Sequence, residues 1–397
     1  MAHSTAHENT GTSEWKSASP VSKRRAFLFR LLAVAGGIFA ALLILEVSAR
    51  IFLYRYGVFI DDLRNNIARA GGGPLTLRDL IRMSSNERRC YELIPGARGT
   101  FVDVPVEINS AGFRDKDRAL SKPPQTWRIA ILGDSIAFGW GVKQDERFGE
   151  VLENLVNSQL SGTTSTRVEC LNFAVPGYNS VMEEATLRDV VLGYQPDLVI
   201  VHLVTNDDEI PNFIRIKPHV WSLQKCFIVE IVKDRLVGRP VGDTARLLIG
   251  GVVEAGGRGH GQHVVGYRPE LVPPEYRFLV GRENMRRALH TMRDICKERG
   301  IKTLLVPHYE VTDLVAALEH PSSTSLVMRE WLDEAHRAEF DDVVNPLPHI
   351  VKYALEHKIS PDALSLSRKD HHPTPLAHRL IAESLVERVL ELLRTKH

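Results

Sequence analysis

Apolar positions fall into two regimes along this chain. Near the start they form one block, Leu31 to Leu45, preceded by Lys23, Arg24 and Arg25 and resuming past Glu46 and Arg50 through Ile51 to Tyr54. From Ala26 to Leu45 the stretch reaches the ~20 residues that carry a helix across a bilayer, and Arg30 lies close enough to its start to snorkel. With the basic cluster on the N-terminal side, the positive-inside rule predicts a cytoplasmic tail over residues 1–25 and a transmembrane signal anchor over 26–54. The bulk of the chain is then extracytoplasmic, periplasmic in a Gram-negative cell. A second reading stays open: Arg24-Arg25-Ala26-Phe27-Leu28 resembles a twin-arginine export signal, with Val47-Ser48-Ala49 as a poor cleavage site. Glu46 beside that site, and the apolar run after it, favour retention of the anchor.

From residue 127 the pattern changes to short apolar runs of strand length. Arg128 to Leu132, Val168 to Phe173, Asp197 to Leu203 and Lys302 to Val306 read as buried strands. Helical stretches alternate with them at Gln144 to Gln159, Ser180 to Leu192, Arg282 to Arg299 and Pro375 to Arg394. Such βαβ alternation predicts a mostly parallel sheet with helices on both faces, a three-layer α/β/α sandwich. Residues 55–125, punctuated at Gly71 to Pro74 and Pro123-Pro124, read as a spacer and N-terminal extension, and residues 126–397 as the main domain. Within that domain the interval 209–281 breaks the rhythm with prolines and the glycine cluster Gly256 to Gly261, and is predicted to be an insertion of the lid or wall type.

Composition narrows the function classes. At 397 residues and 44% hydrophobic, the chain can bury a full core, while a net charge of +1 supplies no basic field for nucleic acid. Cys90, Cys170, Cys226 and Cys296 form no CxxC pair, and no His/Asp/Glu grouping has metal-ligand spacing, so neither metal nor cofactor is expected. The glycine cluster lacks the Gly-Lys-Ser/Thr ending of a phosphate loop, and His260 and His263 within and beside it stand isolated.

Four polar blocks sit where the pattern puts strand ends and the final helix. Gly133-Asp134-Ser135-Ile136 ends the first predicted strand, Asn172 to Gly177 the second and Val204-Thr205-Asn206-Asp207 the third; Asp370-His371-His372-Pro373 precedes the last helix. In a parallel sheet the three strand ends share one edge, so residues far apart in sequence can converge there.

In this order the blocks resemble the SGNH hydrolases, or GDSL esterase/lipase family, over roughly residues 127–390. Glu46, Arg50 and the Ile108 to Arg114 turn are also similar to membrane-anchored bacterial members associated with surface carbohydrate. The resemblance implies an SGNH/flavodoxin-like sandwich in which Ser135 is the nucleophile, His372 its base and Asp370 the orienting acid. It also implies an oxyanion hole of the Ser135 and Gly177 backbone N–H groups and the Asn206 side chain. Two departures stand out: Asp370 precedes His372 by two positions where the family has three, and Val204-Thr205 occupies a place where glycine is common. His371 is an alternative base, and Trp140, Tyr178 and His308 are candidate substrate contacts.

The expected activity is a serine esterase or O-acyltransferase working through an acyl-serine on ester groups, O-acetyl above all, of a cell-surface glycan. Two alternatives remain: an inactive SGNH-fold component of polysaccharide assembly or binding, and a hydrolase of lipid or short-chain carboxylesters. The expected partners are an acylated carbohydrate or other ester substrate, and a membrane through the N-terminal helix.

Overall fold

A computed structural model of the chain describes residues 23–70, 73–216, 221, 226–237, 251–254, 272, 274–320 and 324–395. The expected tail up to residue 22, and the glycine cluster with His260 and His263, lie outside the described residues. Helix α1 (Lys23–Ala70) carries the N-terminal apolar block, and its Lys23–Phe52 part is long and apolar enough to cross a membrane. Its apolar side chains, Phe27 through Leu45, project outward without protein cover.

The domain is built on a parallel sheet of five strands: β1 (Thr126–Leu132), β2 (Arg167–Asn172), β3 (Leu198–Leu203), β4 (Lys302–Pro307) and β5 (Asp342–Val343), in the order β5-β4-β3-β1-β2. Every pairing between these strands is parallel. Ile129, Ile131, Leu132, Val199, Ile200, Val201, Leu304 and Leu305 are closed off from solvent on both faces, which is why these strands read as unbroken apolar runs. Each such side chain contributes about 1.5–3 kcal/mol on burial.

Helices cover both faces. The helix after β1 (Phe148–Leu160) packs on the C-terminal helix (Pro375–Arg394), while the one after β2 (Ser180–Asp189) packs on the one after β3 (Arg282–Glu298). Crossovers leaving β1 and β3 therefore run in opposite directions along the sheet, although the two strands are neighbours. That reversal opens a crevice at their carboxyl ends, the place where open α/β sheets hold ligands. The three-layer α/β/α arrangement expected from the sequence is what the structure shows.

Residues 74–115 are integral to this core. Tyr91, Leu93, Phe101, Ile108 and Phe113 are buried in it, and the strand Tyr91–Leu93 brings the Tyr91 hydroxyl to donate to the Pro176 carbonyl at 2.8 Å. Helices Val311–Glu319, Leu326–Arg337 and Leu347–His357 fill the stretch between β4 and the last helix, which sequence patterning left unassigned.

Beneath the sheet's carboxyl edge lie three buried imidazoles. His202 on β3 stands 5.1 Å from His308, and the Phe148 ring separates His202 from His378 at 5.4 and 6.2 Å. Burial holds His202 down to about 4 despite the opposing pull of Asp134, and holds His378 down to about 3. Both rings are therefore neutral in the folded protein while an unfolded chain takes up protons below about 6.5. Stability is expected to be flat above pH 6.5 on this account and to fall as pH drops from about 6.5 toward 4. Thermal melts at stepped pH check this, and His202→Leu, which removes a ring with no hydrogen-bond partner among the described residues, is expected to make the fall shallower.

Candidate active site

The chain leaves β1 through Gly133, where a Cβ would come 2.7 Å from that of Ala137 and 3.2 Å from that of His202, so only glycine lets the backbone pass. Asp134 then caps a one-turn helix, Ser135–Phe138, its carboxylate accepting from the Ile136 N–H at 3.1 Å. Ser135 is thereby presented at the first helical position, half-exposed at the crevice. Behind it, the fully buried Arg114 guanidinium donates to the carbonyls of Pro105 (3.2 Å), Val142 (2.7 Å) and Gly139. Burial and the neighbouring Arg147 lower the Arg114 pKa to about 9. One side chain thus satisfies the Gly139 and Val142 carbonyls of the loop that follows the serine helix and ties them to Pro105.

On the other side a short loop precedes the C-terminal helix. Its ends meet where Ser365 bridges Pro373 and the Leu366 N–H donates to the His372 carbonyl at 2.9 Å. Within it Asp370 Oδ1 accepts from both the His372 backbone N–H (3.2 Å) and His372 Nδ1 (2.6 Å). This local turn folds the carboxylate back onto the imidazole, which makes the two-residue spacing workable. His372 Nε2 in turn lies 2.8 Å from Ser135 Oγ. With Nδ1–H donating to Asp370, Nε2 is the lone-pair nitrogen, placed to accept a hydrogen bond from the Ser135 hydroxyl.

Trp140 completes this arrangement from behind. Its indole stacks on the His372 ring at 5.0 Å and 15°, and Nε1 donates to Asp370 Oδ2 at 3.1 Å. Burial alone would raise the Asp370 pKa. The bonds from His372 and Trp140 outweigh it and hold the carboxyl at about 2.

The second and third strand ends reach the same crevice. Asn206 Nδ2 and Ser135 Oγ both approach Asp134 Oδ2, at 3.4 and 3.2 Å. Asp207 braces that turn, accepting from the Val204 N–H at 3.1 Å, and Thr205 bonds Glu310. The β2 exit runs alongside, with the Val175 N–H donating to the Gly133 carbonyl at 3.2 Å. Gly177 follows with φ +76°, and a side chain there would run into Asn212. Asn212 belongs to the insertion, and sequence reasoning did not single it out.

Several expectations change. Tyr178 is buried, and its hydroxyl donates to the Tyr91 carbonyl, so it ties the N-terminal extension down and is closed to substrate. Trp140 is 7% exposed with its N–H and one ring face already engaged, a support for the histidine pair and not a stacking platform. His308 is packed against His202 and Tyr309. His371 is exposed, while its neighbour His372 makes the bond to Ser135. Arg114 is the residue whose role sequence reasoning missed; the turn containing it was visible, its partners were not.

Residues 131–380 match the model of the GDSL-like lipase/acylhydrolase family. The chain therefore belongs to that family. Among solved structures it is similar to a two-domain esterase active on acetylated mannans, at 13% identity and a TM-score of 0.39, covering 68% of this chain and 50% of that one. The match thus spans half the length of the two-domain protein. It is also similar to an acetyl xylan esterase (13%, TM-score 0.38, 66% of this chain and 99% of that) and to the lipase/acylhydrolase from Enterococcus faecalis (15%, TM-score 0.35, 66% and 95%). No curated protein matches the chain.

Trp140→Phe keeps the stacked ring and removes the N–H that reaches Asp370. A charge-assisted hydrogen bond of this kind is worth about 1.5–3 kcal/mol, so kcat is expected to drop roughly 10- to 100-fold with KM little changed. Steady-state kinetics on an aryl acetate check it. Arg114→Ala, which strands several buried carbonyls, is expected to destabilise the fold by several kcal/mol, read as a shift in denaturant midpoint at unchanged slope.

Proposed function

We propose that this GDSL-like acylhydrolase is a membrane-anchored serine esterase or O-acyltransferase whose nucleophile is Ser135, acting on O-acetyl or similar esters of a cell-surface glycan. The observation that carries the chemistry is the continuous Asp370–His372–Ser135 chain of hydrogen bonds, 2.6 and 2.8 Å long. His372 Nε2 removes the Ser135 proton as Oγ attacks the ester carbonyl, and the ionised Asp370 stabilises the imidazolium that results. The tetrahedral oxyanion is met by the Ser135 and Gly177 N–H groups and Asn206 Nδ2. Its collapse expels the alcohol, which takes its proton from His372, leaving an acyl-serine. Water or a sugar hydroxyl, deprotonated by the same imidazole, then releases the acyl group.

The glycan part of the reading rests on placement. Residues 1–25 would be the cytoplasmic tail, 26–54 the anchor, and the domain would face the outside, where ester-bearing polymers are found. Acetylated glycans are also what the mannan and xylan esterases named above act on, although the likeness to them carries no weight on substrate. The inactive alternative is disfavoured by the complete hydrogen-bond chain, which a purely structural protein has no need to keep.

Ser135→Ala is expected to abolish fluorophosphonate labelling and to cut p-nitrophenyl acetate turnover by about 10⁴-fold or more. His372→Ala should do the same and His371→Ala should not. Turnover by the Ser135→Ala protein at the parent rate would overturn the assignment. With an acetylated glycan as donor, acetyl appearing on an added oligosaccharide marks the transferase, and free acetate alone marks the esterase.

A further inference from the structure

Of the described helices in the interval 209–281, the α-helix Phe227–Val237 packs against α1. The contact is specific. Glu46 of α1 accepts hydrogen bonds from the Phe227 N–H at 2.8 Å and the Ile228 N–H at 3.0 Å, and from Cys226 Sγ at 3.4 Å. A carboxylate thus closes the first unpaired N–H groups of the shorter helix and sits at its positive end. Arg50, one turn along α1, holds the same carboxylate at 2.6 Å and is itself buried.

Glu46 also fixes height. The apolar stretch Ala26–Leu45 spans about 30 Å at 1.5 Å per residue, the thickness of the hydrocarbon core, so the next residue stands at its outer boundary. The start of Phe227–Val237 is pinned at that boundary. Phe227 turns inward and is buried, whereas Val229, Val232 and Leu236, spaced i, i+3 and i+7, are 47%, 51% and 82% exposed on one face. Trp221, five residues before Cys226, is 61% exposed. Indole rings are favoured at the membrane interface.

We infer that Phe227–Val237 is an interfacial helix whose Val229/Val232/Leu236 face is covered by the outer leaflet of the bilayer that α1 crosses, so that the domain is held at a fixed attitude to the membrane. This rests on the anchor reading of residues 26–54. The occupant is lipid because the face begins at the point where the span leaves the hydrocarbon. Apolar side chains on a helix lying in the interface plane are what such a surface takes up.

The test uses the full chain in lipid nanodiscs. In a Cys226→Ser background, which retains a donor for Glu46, spin labels are placed by Val232→Cys, Leu236→Cys, Leu42→Cys in the span and Leu355→Cys, a 48% exposed site on the helix Leu347–His357. Power saturation then compares oxygen with a water-soluble nickel chelate. Labels at 232 and 236 are expected to favour oxygen several-fold, as at 42, and the label at 355 to favour nickel. If 232 and 236 behave like 355 while 42 reports lipid, the interfacial helix is overturned and the anchor stands. If 42 also reports water, the anchor reading fails and the inference falls with it.

Discussion

The hydrogen bond from Ser135 to His372 joins positions 237 residues apart, and the rest of the domain is arranged so that both ends of it arrive together. A single hydrogen bond contributes about 1 kcal/mol net, far too little to position two loops. The positioning comes from packing on either side. On the serine side Gly133 lets β1 turn sharply against His202, Asp134 caps the single turn, and Arg114 ties down the carbonyls beyond it. On the histidine side the loop is closed at Ser365 and Pro373 and delivered into a twenty-residue helix packed on the helix after β1. Folding thus fixes the parts of the Asp370–His372–Ser135 chain before any ligand arrives.

Two kinds of carboxyl meet near this point, and their partners set their charge. Asp370 has the His372 imidazole, the His372 backbone and the Trp140 indole on its oxygens, and these hold it ionised. Glu183, buried on the helix Ser180–Asp189, has no hydrogen-bond partner on either oxygen among the described residues. Burial, aided by the charge of Asp134, pushes its pKa well up. Asp207 follows it for the same reason, with Glu183 adding to the effect. The full negative charge that an imidazolium would need is thus kept on the carboxylate that touches it, while those beneath the crevice favour the neutral form.

The parts legible in sequence were those with local signals. Long buried strands announce themselves as apolar runs, and β1 to β4 appeared within a few residues of their observed limits. β5, two residues long, is too short to carry a pattern and exists because β4 offers it an edge. Ser135 and His372 could be picked out as candidates because their flanking glycine and proline mark the turns that hold them. Trp140 could be offered as a candidate substrate contact, because nothing local tells an indole that faces solvent from one wedged behind a histidine 232 residues away. Arg114 was hidden for a related reason: its partners are backbone carbonyls, which no residue type advertises.

The interval 209–281 touches both the β2 exit and α1. Its two ends are drawn together by Asn179, whose amide donates to the carbonyls of Glu209 at 3.0 Å and Leu279 at 2.8 Å, and by Arg282 bonding Asp208 at 2.9 Å. Asn179 stands two residues from Gly177, so the base of the insertion and the β2 exit share one anchor point. From that base Asn212 leans over Gly177, while the far part reaches Glu46 on α1. Asn212 thus sets the room beside Gly177 from a segment outside the sheet and the Asp370–His372–Ser135 chain, one for which the four motif blocks carry no information.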